Sequence, residues 1–74
     1  MAYDYSKLLG KIREVCGTQA IFANKIGWSE HTCSMKLSNR VAWKQPEIHK
    51  AVKILGLKDG DIQAYFFTLR VQDN

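Results

Sequence analysis

The feature that most constrains this chain is the regular placement of its helix breakers. Tyr5, Leu8, Leu9, Ile12, Val15 and Cys16 recur at helical spacing, and Gly17 follows them as a stop. Thr18 then offers an N-cap for a short second helix, in which Phe22, Ala23 and Ile26 face inward and which Gly27 ends. Ser29 caps a third helix with Cys33 and Leu37 at i, i+4 on its buried side, and the turn-prone pair Ser38-Asn39 closes it. Trp28, between these two helices, is placed to plug the core. A loop from Arg40 to Gln45 leads to Pro46 at the first position of a fourth helix, whose inward stripe is Ile48, Ala51, Val52 and Leu55 before Gly56. Asp59 can cap a fifth helix carrying Ile62, Tyr65 and Phe66. Five short helices joined by brief turns predict an all-α globule built on local contacts.

The C-terminal end follows another rule. Phe67, Leu69 and Val71 alternate with Thr68, Arg70 and Gln72 at a period of two, the pattern of a strand. A lone strand leaves its backbone groups unpaired, and no second strand stands out in the chain, so a second copy is one source of pairing. An apolar tail folded back on the core is the other.

A chain of 74 residues with 46% hydrophobic content supports one packed domain of modest stability. No apolar run reaches the roughly 18 residues that span a bilayer, and Met1-Ala2-Tyr3-Asp4-Tyr5 lacks the regions of a signal peptide, so a cytoplasmic location is expected. Cys16 and Cys33 fall at apolar helical positions, which suits reduced buried thiols better than a disulfide. His31 and Cys33 point to different sides of a helix, and no C-x-x-C or H-x-x-x-H pair exists, so no metal and no other cofactor is expected. There is no carboxylate pair, no nucleophile with a matching base and no phosphate-cradling glycine loop, and His49 lies on a solvent face; an enzyme is not expected.

The net charge of +4 is concentrated. Between Lys25 and Lys53, six cations (Lys25, Lys36, Arg40, Lys44, Lys50, Lys53) face only Glu30 and Glu47, while the remainder of the chain balances. That is either an ordinary solvated surface or a zone that attracts a phosphate backbone.

Residues 18 to 39 supply what a helix-turn-helix needs: a short first helix, a small residue at the crossing (Ala23), a glycine at the turn (Gly27), and a second helix anchored by Leu37. Its outward side chains are Glu30, His31, Ser34 and Met35. The pattern Thr18-Gln19, Phe22-Ala23, Ile26-Gly27-Trp28-Ser29, Thr32-Cys33-Ser34 and Leu37, continued by Ile54-Leu55-Gly56-Leu57, Asp61-Ile62 and Tyr65-Phe66-Phe67, resembles the helix-turn-helix domains of phage repressors and Cro proteins. The stretch CSMKLSNRVAWKQPEI is similar to small phage or prophage regulators, with Ser38-Asn39 where that subgroup often has Asn-Gly.

The resemblance implies a five-helix lambda-repressor-like domain over residues 1–74 with its helix-turn-helix at 18–38. It implies a sequence-specific transcriptional regulator whose recognition helix, about 30–38, enters the major groove of a palindromic operator on double-stranded DNA. Glu30, His31, Ser34 and Met35 would then reach base edges, the alternative for Glu30 being to complement its own helix N-terminus. Thr18, Gln19, Ser29, Thr32 and Ser38 would support or donate to phosphates, with Lys36, Arg40 and Lys44 adding charge. One such domain covers half a site, so a homodimer is expected, with Tyr65, Phe67, Leu69 and Val71 in a possible dimerisation tail, 65–74.

A second class stays open: a protein-interaction module, such as an anti-repressor or modulator that binds another phage regulator while retaining the fold. Ile21 lies on a side of the second helix that the family usually leaves polar, and Val41, Ala42 and Trp43 bring apolar bulk after the third helix. Against this, Trp43 can instead seal the core.

Overall fold

The computed structural model describes residues 2–70. Helix α1 spans Ser6–Cys16, α2 Gln19–Ile26, α3 Glu30–Leu37, α4 Gln45–Leu55 and α5 Ile62–Phe66, with a 3-10 turn at Asp59–Asp61 before the last. The five expected helices form, and most of their boundaries are written in local chemistry. The Thr18 hydroxyl accepts from the Ile21 N–H at 3.1 Å, and the Ser29 hydroxyl accepts from the Thr32 N–H at 3.1 Å. Each satisfies a backbone donor that the first helical turn leaves free. At the other end of α2, Gly27 takes φ +87°, and both it and Trp28 donate to the Ala23 carbonyl, at 2.9 and 2.8 Å. A left-handed residue there reverses the chain sharply enough to lay α3 across α2.

The core is a stack of inward stripes. Leu8, Ile12 and Cys16 from α1, Phe22, Ala23 and Ile26 from α2, Cys33 and Leu37 from α3, and Ile48, Ala51 and Leu55 from α4 are all buried together with Tyr5 and Phe66. Trp28 does plug the gap between α2 and α3, edge-on to Phe22 at 6.3 Å and to Trp43 at 5.0 Å. Both cysteines are free and buried. Burial pushes the Cys33 thiol up, and the Glu30 charge adds to this, so the thiol stays protonated and packs as a small apolar group.

Three boundaries depart from expectation. Gln45, not Pro46, is the first residue of α4, and its N-terminus is closed when Glu47 Oε1 accepts from the Lys44 N–H at 2.8 Å. Asp59 opens a 3-10 turn in place of capping α5; Asp61 supplies the side chain, accepting from the Lys58 N–H at 3.1 Å. The third departure concerns the tail. No named strand forms among the described residues, yet Leu69 makes an isolated antiparallel bridge with Tyr3. The Asp4 N–H donates to the Thr68 carbonyl at 2.7 Å and the Arg70 N–H to the Ala2 carbonyl at 3.0 Å. The N-terminus of the same chain therefore supplies pairing for residues 68–70, an arrangement distinct from both pairing by a second copy and a tail folded on the core. Val71 and the rest of the tail lie outside the described residues.

Candidate interaction surface

The α2–turn–α3 unit presents one outward face. Glu30, His31 and Ser34 are exposed and Met35 is half-buried; His31, Ser34 and Met35 point away from the Cys33–Leu37 stripe, whereas Glu30, seven residues before Leu37, is exposed as the first residue of the helix. Gln19 opens α2 and is exposed. Thr18 and Ser29 are exposed but engaged as caps. Thr32 is half-buried and accepts from the Ser29 hydroxyl at 3.0 Å. Ser38 donates back to the Met35 carbonyl at 3.2 Å, so it closes α3. Arg40 and Lys44 stand exposed in the following loop. From α4, Lys50 reaches the turn itself, its Nζ lying 3.6 Å from where a Cβ on Gly27 would sit.

Lys36 is the exception, and it corrects the expectation of a phosphate-facing cation. It is only 5% exposed. Its ammonium donates to Glu47 Oε1 at 2.6 Å and to the Ala42 carbonyl at 3.0 Å, and lies 5.4 Å from the centre of the Trp28 ring. The Lys36 carbonyl accepts from the Trp43 indole N–H at 3.1 Å. This node ties α3 to the loop and to the first turn of α4. Burial pushes the Glu47 carboxyl upward, but the Lys36 ammonium and the Lys44 N–H outweigh it and hold the group below the usual glutamate value. Nothing local marks the pairing: eleven positions separate the two residues, and a lysine late in a helix reads as a solvated charge.

A second contact without a local signal is made by Asn39. Its backbone takes φ +67°, the left-handed turn conformation that an asparagine tolerates. Its amide clamps the Tyr3 backbone twice, accepting from the N–H at 2.8 Å and donating to the carbonyl at 2.8 Å. The turn after α3 thus holds the N-terminal segment.

The apolar residues that favoured a protein partner divide. Trp43 seals the core, packed against Trp28 at 5.0 Å and Phe66 at 5.1 Å. Ile21 and Val41 are 46% and 42% exposed. Of the expected dimer residues, Tyr65 is half-buried under the Lys7 ammonium at 5.0 Å, while Phe67 and Leu69 are exposed at 38% and 51%. Among the described residues no group of three His, Cys, Asp or Glu could hold a metal ion, and no helix is long and apolar enough to cross a membrane.

The pattern of the family DUF739, described as a protein of unknown function, matches residues 1–69. The chain is also similar to the modulator of repression (MOR) of the temperate bacteriophage TP901-1 from Lactococcus lactis, known from its solution structure. The two share 56% sequence identity over 97% of each chain, with a TM-score of 0.81. No curated protein matches.

Proposed function

The chain belongs to the DUF739 family, and from that premise we propose that it is a phage modulator of repression, a non-enzymatic cytoplasmic protein that acts by binding another regulator. The observation that carries this reading is its similarity to the TP901-1 modulator across nearly the whole of both chains. The geometry agrees with it. The outward face of α3 bears a carboxylate, an imidazole, a hydroxyl and a thioether, while the one cation of that helix is spent on Glu47. A helix with an exposed carboxylate and no exposed cation is a poor match for a polyanionic duplex and a good one for a protein surface. Ile21 on α2 and Val41 in the loop after α3 add exposed apolar surface. The protein reading therefore stands ahead of the operator-binding reading that the helix-turn-helix resemblance suggested first.

The test is direct. The chain and the DNA-binding repressor of the same phage or prophage are mixed at equal concentration, followed by calorimetry and by a gel shift on the repressor's operator. We expect a stable heteromeric complex and altered operator occupancy. Absence of a complex, together with operator binding by the chain alone, would overturn the reading.

One observation favours a second reading. Glu30, His31 and Ser34 are exposed on the third of the five helices, and Arg40 and Lys44 are exposed in the loop that follows it. On this reading the chain binds an operator half-site, Thr18, Gln19, Ser29, Thr32 and Ser38 line the phosphates, and Tyr65, Phe67, Leu69 and Val71 pair two copies. Its signature is a log–log salt slope of about −0.9 per neutralised phosphate and recovery of a palindrome from random duplexes.

A further inference from the structure

Between the N-terminal segment, the loop after α3 and the end of α5 lies a cavity of about 250 Å3, walled by Tyr3, Tyr5, Val41, Trp43, Phe66 and Phe67. Its wall is held by aromatic packing: Tyr3 meets Phe67 edge-on at 5.8 Å, and Trp43 meets Phe66 at 5.1 Å. Exposed apolar side chains gather at its mouth, with Val41 and Phe67 in the wall and Leu69 beside it through the bridge to Tyr3. Most polar groups there are already used. The Asn39 amide is bound to Tyr3, and the Trp43 N–H is bound to Lys36. Tyr5 differs, being 7% exposed with a hydroxyl that takes part in no hydrogen bond among the described residues. The chain around the mouth is basic. Arg40 precedes Val41, Lys44 follows Trp43 and Arg70 follows Leu69, all exposed and none in a direct ion pair among the described residues, although the Lys44 and Arg70 charges help hold the Glu47 and Asp4 carboxyls below their usual range. The acid of this region, Asp4, already accepts from the Ser6 N–H at 2.8 Å.

We infer that this cavity receives one apolar side chain, of leucine or phenylalanine size, carried on an acidic segment of the protein partner, with Tyr5 donating to that segment. This rests on the modulator reading above and assigns the contact to a place in the fold. A ring-walled cavity with a mixed polar and apolar lining takes an apolar anchor flanked by hydrogen-bonding groups, and exposed cations on the chain beside it favour carboxylates around that anchor. A second copy fits less well, because a two-fold contact through this face puts the same basic patch on both sides, cations facing cations.

Two measurements on the full 74-residue chain test it. In the first, variants V41E and A42W, at exposed positions on the cavity wall, are titrated against the repressor after thermal melting has shown them folded; V15S, at an exposed apolar residue of α1, is the control. We expect V41E and A42W to weaken the complex by about tenfold or more and V15S by less than about twofold. If wild type binds and both cavity variants bind within twofold of it, the cavity assignment is overturned while the modulator reading stands. In the second, the labelled chain is titrated by NMR with the peptide acetyl-EDLFDE-amide and its lysine counterpart acetyl-KKLFKK-amide. Shifts at Tyr3, Tyr5 and the Trp43 indole with the acidic peptide alone support the assignment even where the repressor does not bind and the modulator reading fails. No shift at these positions at millimolar peptide overturns it, as does self-association that A42W abolishes.

Discussion

Lys36 and Glu47 show how one residue pair can change the meaning of a surface. The pair lies mostly out of water, so its value depends on both partners being present: removing one leaves the other's charge without its counterpart. Glu47→Ala, which strands the more deeply buried ammonium, is expected to lower stability by about 3 kcal/mol in urea unfolding. Because the Glu47 pKa is depressed in the folded state, its contribution is complete above the ordinary glutamate pKa. It is lost as pH falls through the depressed value, since the unfolded chain takes up the proton first. An acid titration of stability should therefore fall more steeply in wild type than in Glu47→Gln. Asn39 offers a second check. Asn39→Gly keeps the left-handed turn and loses both hydrogen bonds to Tyr3, an expected loss of about 1–2 kcal/mol. Asn39→Ala should cost about 1 kcal/mol more, because it adds left-handed strain.

At the scale of elements, the helices of this chain are too short to stand alone and hold because their stripes meet. Their caps and stops are local, and Thr18, Gly27, Ser29 and Gly56 fall at the boundaries their chemistry announces. The pairing of residues 2–4 with 68–70 is of another kind, since it joins the two ends of the described chain. Ending the chain after Phe67 removes the Thr68 acceptor, so the Asp4 amide should exchange with solvent far faster in the truncated form by hydrogen-exchange NMR. The Asn39 clamp remains, and the Tyr3 amide, bonded to Asn39 Oδ1, should keep its protection. Equal exchange at Asp4 in both forms would show that the bridge does not persist in solution.

The whole molecule is small enough that partner binding should register as stability. A domain of this size buries only about 60% of the surface its unfolded chain exposes. A partner that binds the folded form alone adds about 2.7 kcal/mol at a hundredfold excess over Kd. Thermal melting with rising repressor concentration is therefore expected to shift upward for the wild-type chain and much less for V41E. The charge of the molecule points the same way. Its excess of cations lies in the middle of the sequence, but the fold withdraws Lys36 and leaves Arg40 and Lys44 exposed, each adjacent in the chain to a residue of the cavity wall. On the proposed reading, a basic segment read linearly as a phosphate track borders a protein contact instead.

What the sequence determined by itself is everything decided within a turn or two of helix: the five helices, most of their ends, the inward stripes, and the exposed set Glu30, His31 and Ser34. Capping and helical periodicity act between residues three or four apart, so they are present in the order of residues alone. What only the tertiary structure decided is how distant groups pair: Lys36 with Glu47 and the Ala42 carbonyl, Asn39 with Tyr3, Leu69 with Tyr3, and the aromatic cavity they enclose. Those contacts exist because packing brings separated side chains into low-dielectric reach of each other, and no linear pattern encodes which of several lysines, asparagines or apolar tails will be the one brought in.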